Sequence, residues 1–277
     1  RTVYAHNPDL RRRLRREAEV ARHVRHPGVV PVLDEGVLTD GSPYIVMEKI
    51  AGVSLARLLL RLGHLPADET AAIAIRVASI LHAAHAAGYV HRDVKPEHVI
   101  LCEGDGGGLA VWLLDFGVCA SDGAPLEEKK RENGRVFGTP TYCSPEQAAG
   151  IPEVDGRADL FGLGITMFEC LTGRVPFTGI DVNDLLRAII RCQSPSVGDL
   201  MPDLRGPMDS VVLRTMARLP TDRYASARAM ARALVPLAGD RAETERRIVQ
   251  KLGLRVATPI AETATTTERP APRIVAA

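Results

Sequence analysis

The sequence has no run of 18 consecutive apolar residues, so it contains no candidate membrane-spanning helix. It also lacks a basic start followed by an apolar run, and from this we expect no signal peptide. A net charge of +1 over 277 residues argues against nucleic-acid binding driven by bulk electrostatics. The five cysteines form no C-x-x-C pair and are odd in number, which predicts reduced thiols in a cytoplasmic protein.

What is present is typical of a soluble globular protein, with 45% hydrophobic and 25% charged residues. Short apolar runs predict one strand pair at 29–34 and 44–48, and a hairpin around the glycine-rich segment 104–108. Apolar residues at helical spacing predict helices at 8–25, 54–61, 67–87, 158–172, 181–192, 207–218 and 225–237. A further charged helix is predicted at 241–252, followed by a threonine- and proline-rich segment with too little apolar surface to become ordered.

Two short motifs in the middle of the chain carry the strongest chemical signal. His91 to His98 reads H-R-D-V-K-P-E-H, and Asp115 begins D-F-G. An H-R-D-x-x-x-x-N segment followed by D-F-G positions the acceptor hydroxyl and the metal ions in protein kinases. A G-T-P-T-Y segment and an S-P-E segment follow in the order typical of that family, at 138–142 and 144–146.

On these motifs the chain resembles a serine/threonine protein kinase and is most similar to the bacterial eukaryotic-like kinases, over about residues 8–237. The resemblance implies an α+β, protein-kinase-like bilobal fold with a truncated small-lobe sheet and a mostly α-helical large lobe. Residues 1–48 would form part of the small lobe, and 49–238 the hinge and the large lobe. Residues 239–277 would form the charged helix and then a disordered Thr/Pro-rich linker.

The resemblance also implies the chemistry of the site. Asp93 would accept the proton of the acceptor hydroxyl, Lys95 would steady the transferred phosphate, and Asp115 would supply a hard carboxylate oxygen to Mg²⁺. ATP and Mg²⁺ are the implied cofactors, with Mn²⁺ as an alternative metal. Lys95 together with Thr139 favours serine and threonine acceptors on protein substrates over tyrosine.

Further residues take implied positions by their place in the family pattern. Around adenine these are the gatekeeper Met47, the backbones of Glu48 and Ile50, and Ile100. Pairings are implied for Glu17 with the ATP-binding lysine, for Asp159 with the catalytic loop, and for Arg223 with Glu146. The structural and regulatory set also contains Arg92, Gly117 and Thr139, and a hydrophobic stack formed by Ala21, Leu33, His91 and Phe116.

The pattern is broken in the expected metal site and in the expected nucleotide site. His98 replaces the metal-binding asparagine. Imidazole is a softer ligand than an amide oxygen, and it suits Mn²⁺ or Zn²⁺ better than it suits Mg²⁺. The alternative is that His98 only forms hydrogen bonds within the loop. No G-x-G-x-x-G precedes Glu17, and the family lysine is not found. We therefore expect the isolated chain to be weakly active or inactive. The chain could be a fragment of a longer signalling kinase or a genuine short product.

Two other function classes remain open. A pseudokinase that acts as a binding or scaffolding module is favoured by His98 and the missing lysine, and is opposed by the retention of Asp93, Lys95 and Asp115. A small-molecule phosphotransferase of the aminoglycoside type shares the aspartates, but the segment 138–146 speaks against it. We expect a cytoplasmic chain that binds no nucleic acid, although a longer parent protein could be tethered to a membrane.

Overall fold

The computed structural model describes residues 8–116, 120–121 and 139–253. The predictions for Gly117, for most of the segment between Asp115 and Thr139, and for the tail after Gly253 lie outside the described residues. Across the described ranges, no helix is both long enough and apolar enough to cross a bilayer.

The first part of the chain forms one helix and a two-stranded antiparallel sheet. These elements are α1 (Pro8–His23), β1 (Val32–Val37) and β2 (Pro43–Met47). In the turn between the strands, Asp40 Oδ1 accepts the N–H of Ser42 at 2.8 Å. Gly41 has a φ of 82°, which a residue without a Cβ adopts at little cost. The predicted helix and strand pair are therefore present, and β1 lies slightly further along the chain than predicted.

An irregularity in β1 changes the direction of Leu33. The pairing with β2 shifts register between Val32 and Asp34, so Leu33 is the extra residue of a bulge. Its side chain is 65% exposed. The prediction that Leu33 stacks with His91 and Phe116 is therefore wrong, because the bulge turns its side chain towards solvent.

Most of the remaining described chain is helical. Its helices are α2 (Leu55–Leu62), α3 (Ala67–Ala86), α4 (Pro145–Ala148), α5 (Arg157–Thr172), α6 (Val182–Arg191), α7 (Val197–Leu200), α8 (Pro207–Thr215), α9 (Ala227–Leu234) and α10 (Arg241–Leu252). Its strands are β3 (Val53–Ser54), β4 (Tyr89–Val90), β5 (Val99–Glu103), β6 (Leu109–Leu113) and β7 (Ala120–Ser121). β3, β5 and β6 form one antiparallel sheet, which contains the predicted hairpin, and β4 pairs with β7.

Capping groups explain where several of these helices begin and end. Ser54 accepts the N–H of Arg57 at the start of α2, and Asp240 accepts the N–H of Glu243 at the start of α10. α5 ends at Gly173, whose φ of 69° is the left-handed conformation common after a helix. Each signal is local, which is why the helix positions could be predicted from the sequence.

α5 lies in the centre of the large lobe and packs on α3 and α8. It is buried on nearly every side, as expected of a helix whose apolar residues do not keep to one face. The Phe161 ring stacks on Phe177 with the centroids 6.1 Å apart. A Cβ on Gly164 would lie only 2.7 Å from Cγ of Met216, so this glycine allows the chain just after α8 to approach closely.

Arg223 is a fully buried cation that uses every N–H it has. Its Nη1 and Nη2 donate to the two oxygens of Glu146 at 2.7 and 2.8 Å. Its remaining N–H groups donate to the carbonyls of Ala217, Arg157 and Arg218. The guanidinium has five donors in a fixed plane, so this arrangement joins α4, the start of α5 and the loop after α8.

α10 is rich in charged residues, but it packs against α3, β5 and β6. Its apolar residues Ile248 and Leu252 are buried. Lys251 Nζ donates to both oxygens of Glu69 in α3, at 2.7 and 2.8 Å. The Glu69 side chain is only 1% exposed, so its charge depends on Lys251 and, at 4.0 Å, on Arg247, both of which are in α10.

Glu245 makes a second connection from α10. One of its oxygens accepts from Arg76 at 2.7 Å and from Arg241 at 2.9 Å, and the other accepts the N–H of Leu109 at 3.3 Å. Burial opposes ionisation of Glu245, but the hydrogen bonds from the two arginines outweigh it and lower the pKa of this carboxyl. α10 is thereby joined to α3 and to the first residue of β6.

We expect Arg223→Lys to lower the free energy of unfolding by about 3 kcal/mol, because lysine keeps the charge but cannot make the paired contact with Glu146 or all three carbonyl contacts. Urea unfolding followed by circular dichroism measures this. Arg228→Lys, the same change at an exposed position of α9, is the control and should have little effect. Equal stability of both variants would contradict the structural role of Arg223.

Lys251→Met should lower the free energy of unfolding by about 2–3 kcal/mol, because it leaves the buried Glu69 carboxylate without its ammonium partner. Thermal unfolding of this variant is compared with that of Lys49→Met, which makes the same change at an exposed position. If the two variants melt at the same temperature, the contact between α10 and α3 contributes nothing to stability.

Glu245→Gln should change how stability depends on pH. The folded-state pKa of Glu245 is lowered, so its stabilising contribution is present above the ordinary value of 4.5 and is lost as pH falls through the folded-state value. The wild type should exceed the variant by about 1–3 kcal/mol at pH 7, and this gap should shrink at lower pH. Urea titrations at pH 7 and below pH 4.5 measure the gap, and a gap independent of pH would count against the ionised state.

Candidate active site

The loop between β4 and β5 carries His91, Arg92 and Asp93, all of them buried. Asp159, in the first turn of α5, accepts the N–H of His91 at 2.9 Å and that of Arg92 at 2.7 Å. These bonds hold Arg92 at a φ of 65°, a left-handed conformation that is unfavourable for a residue with a long side chain. Gln147 adds a bond from Nε2 to the carbonyl of Arg92 at 2.9 Å. The loop conformation therefore depends on side chains from two helices.

Asp159 is fully buried, and its charge is compensated locally. Its Oδ2 lies 2.7 Å from Nε2 of His85, in the last turn of α3. Burial alone would raise the pKa of Asp159, but the hydrogen bond and charge of His85 outweigh it and lower this pKa. Burial lowers the pKa of His91, which favours its neutral form. Asp159 therefore accepts backbone hydrogen bonds as a carboxylate.

Asp93 has a hydrogen bond to each carboxylate oxygen. Oδ1 accepts the N–H of Thr139 at 2.7 Å, and Oδ2 accepts from Lys95 Nζ at 2.9 Å. Lys95 Nζ also donates to Oγ1 of Thr139. Burial opposes ionisation of Asp93, but the hydrogen bonds from Lys95 and Thr139 outweigh it and lower its pKa. Asp93 is therefore an ionised carboxylate at neutral pH, with a lone pair remaining on each oxygen.

β6 leads directly to Asp115, whose side chain is 50% exposed and whose φ is 62°. The preceding residue is fixed on both sides: the N–H of Leu114 donates to the carbonyl of His98 at 2.9 Å, and His91 Nε2 donates to the carbonyl of Leu114 at 3.0 Å. The Phe116 ring meets the His91 ring edge to face, with centroids 4.6 Å apart. The catalytic loop and the segment around Asp115 are thus one packed unit.

His98 lies between the two aspartates. Its Nδ1 is 2.9 Å from the backbone carbonyl of Asp93, and its Nε2 is 3.5 Å from Oδ2 of Asp115. One potential ligand atom from each of the three residues lies within 4.8 Å of the others. Among the described residues, this is the group of side chains with the composition and spacing to contact a divalent cation.

Glu17, on α1, is brought close to Asp115. Burial first, and then the charge of Asp115, raise the pKa of Glu17 to about 7. In the described part of the chain, no hydrogen bond or ion pair neutralises this carboxylate. Glu17 is thus positioned where a cation beside Asp115 would stabilise both charges.

The residues expected around adenine lie at the end of β2, just after β2, and on β5. Met47 ends β2, and Ile50 and Ile100 are half-buried. The N–H of Glu48 donates to the carbonyl of Pro31 at 3.1 Å. These positions fit the expected adenine contacts, and their binding role stays a prediction.

Sequence reasoning missed three residues that shape the site. A Cβ on Gly52 would lie 2.5 Å from Cγ2 of Ile100, so only glycine allows the chain after the hinge to cover that side chain. His85 and Gln147 support Asp159 and Arg92. A histidine in an otherwise apolar helix end, just before the H-R-D motif, was the signal available for His85.

The structure therefore brings together Asp93, Lys95, Thr139, His98 and Asp115 in one cluster, with Glu17 beside Asp115. Glu146 and Arg223 bond to one another rather than to this cluster. Gly117 lies outside the described residues.

Comparison with known proteins agrees with this geometry. A family model for the protein kinase domain matches residues 3–232. The serine/threonine-protein kinase PknH of Mycobacterium bovis is 36% identical over 224 residues, which cover 81% of this chain and 36% of that protein. PknE of Mycobacterium bovis is 38% identical over 218 residues, covering 79% of this chain and 37% of that protein. The chain spans about a third of the length of these relatives.

A solved kinase-domain structure also matches this chain. The crystal structure of the Mycobacterium tuberculosis PknI kinase domain matches with a TM-score of 0.63 and 33% sequence identity, over 86% of this chain and 83% of that one. The predicted fold class, with a small sheet-containing lobe and a helical large lobe, is confirmed. The chain belongs to the protein kinase domain family.

Proposed function

We propose that this chain forms the catalytic part of an ATP- and metal-dependent kinase that phosphorylates serine or threonine hydroxyls of proteins. The observation that carries the proposal is the cluster in which ionised Asp93 is bonded to Lys95 and Thr139 and faces His98 and Asp115. Protein kinases generally use ATP and Mg²⁺. The names of the relatives, which are serine/threonine-protein kinases, support the acceptor class.

In the proposed reaction, the acceptor hydroxyl oxygen attacks the γ-phosphorus of ATP, and the bond to the β–γ bridging oxygen breaks to release ADP. Asp93 accepts the hydroxyl proton. Its lowered pKa keeps it ionised and ready to orient that hydroxyl, and each of its oxygens has a free lone pair beyond the bonds to Thr139 and Lys95.

Lys95 has two tasks in this proposal. Its ammonium fixes the orientation of the Asp93 carboxylate. Because the ammonium lies beside the group that would receive the hydroxyl proton, it could also contact the phosphoryl group during transfer. Its contact with Thr139 links the catalytic loop to the segment expected to receive the substrate peptide. This link supports serine and threonine as acceptors.

The donor set fits a divalent cation. Asp115 offers a carboxylate oxygen and His98 an imidazole nitrogen, 3.5 Å apart. A cation bound between these residues and the nucleotide would neutralise the charge of the β- and γ-phosphates. Asp115 is half exposed, so its carboxylate is accessible to a ligand that enters from solvent.

The nucleotide base would lie between Met47, the backbones of Glu48 and Ile50, and Ile100. Ile100 is on β5, the strand that begins immediately after His98. A base stacked on Ile100 would therefore be placed by the same strand that fixes one end of the catalytic loop. Glu17 would pair with a cation near the phosphates, which would relieve the unfavourable burial of its charge.

A binding or scaffolding module with weak or no catalysis is the second candidate. It is favoured by His98, since an imidazole at a position that contributes an amide oxygen in kinases weakens Mg²⁺ binding there. The two candidates differ in whether phosphate transfer depends on Asp93.

In the natural full-length protein, Asp93→Asn should lower kcat for phosphorylation of a protein substrate by about 10²–10⁴-fold, because the amide cannot accept the hydroxyl proton. Asp115→Asn should cause a comparable loss by removing a charged metal ligand. Transfer of labelled γ-phosphate from ATP is the measurement. Asp105→Asn, at the exposed hairpin tip, is the matched control and should retain activity.

Near-wild-type phosphorylation by Asp93→Asn would show that the assigned proton acceptor is wrong. Absence of phosphate transfer in the wild type, with every candidate metal supplied, would instead favour the binding module.

A further inference from the structure

The orientation of His98 is fixed by its neighbours. Nδ1 lies 2.9 Å from the backbone carbonyl of Asp93, and a carbonyl oxygen only accepts hydrogen bonds. The ring proton of neutral His98 is therefore on Nδ1, and Nε2 carries the lone pair. That lone pair is on the side of the ring that faces Oδ2 of Asp115 at 3.5 Å.

Two acceptors that face one another at this distance repel unless a cation lies between them. The separation of 3.5 Å is longer than a normal hydrogen bond from an imidazole N–H to a carboxylate. Two ligands that are each about 2.1 Å from one metal ion lie between about 3 and 4 Å apart. The separation of Nε2 and Oδ2 thus suits a shared metal ion better than a shared proton.

Asp93 is near this position but is less suited to be a ligand. Both of its oxygens already accept a hydrogen bond, and one of those donors is the ammonium of Lys95. A divalent cation on that carboxylate would be repelled by Lys95. His98 and Asp115 are therefore the better-suited protein ligands, and water or phosphate oxygens would complete the coordination.

From this geometry we infer that His98 Nε2 and Asp115 form a site that selects divalent first-row transition metal ions over Mg²⁺. The inference rests on the proposed function, because it concerns the metal of that same site. Mg²⁺ prefers oxygen ligands and gives up its bound water reluctantly, whereas imidazole favours transition metal ions. The side chain of His98 is only 13% exposed, so the nitrogen ligand is held in place before the metal arrives.

The test is spectroscopic and does not require catalysis. Mn²⁺ is added to the 277-residue chain, alone and with inorganic triphosphate, which contains no nitrogen. Pulsed electron paramagnetic resonance should detect ¹⁴N coupling from one imidazole bound to Mn²⁺. His98→Asn should abolish this coupling, since an amide oxygen would replace the ring nitrogen. His64→Asn, the same change at an exposed position, should leave it intact.

Affinity gives a second readout. His98→Asn should raise the Kd for Mn²⁺ at least about tenfold, by analogy with the loss of groups that support metal ligands, while the Kd for Mg²⁺ measured by competition stays the same or falls. An unchanged ratio of the two constants, an absence of ¹⁴N coupling in the wild type, or no Mn²⁺ binding with triphosphate present would each overturn the inference. None of these results bears on whether Asp93 supports phosphate transfer with Mg²⁺, so the two proposals fail separately.

Discussion

Asp159 places a negative charge in the core of the large lobe, and the catalytic loop folds around it. Its two oxygens accept the backbone N–H groups of His91 and Arg92, which keeps Arg92 in a left-handed conformation. That conformation directs Asp93 towards Lys95, and the same loop presents His98 to Asp115. The buried charge is tolerable because it has an imidazole partner and two amide donors. Loss of this one carboxylate would release several active-site residues together.

The site itself carries an excess of negative charge. Asp93, Asp115 and Glu17 lie near one another, and Lys95 is the cation bonded to Asp93. The consequence appears in Glu17, whose pKa is raised to about 7 by burial and by Asp115. A free phosphate would be repelled by such a site, whereas a phosphate that arrives with a metal cation would be attracted. The electrostatics thus favour a metal–nucleotide complex as the ligand.

Most of the helices and the central motifs could be predicted because their signals are local. Apolar spacing and caps determine the helices, and the H-R-D and D-F-G motifs pointed to the residues that the fold brings together. Leu33 was wrongly assigned because a bulge depends on the partner strand, which the sequence of β1 does not contain. The burial of α10 was not predicted because its charges resemble those of a solvated helix. Their partners Glu69 and Arg76 lie far away in the sequence.

The distance between those partners has a consequence for synthesis of the protein. Lys251 is 182 residues after Glu69. At ribosomal rates of about 5–20 residues per second, Lys251 is made about 10–40 s after Glu69. During this interval the carboxylate of Glu69 in α3 lacks its ammonium partner, so that side of α3 stays open to water in the nascent chain. The contact between α10 and α3 can therefore form only after α10 has been synthesised, and until then the face of α3 that α10 covers is exposed to chaperones and proteases.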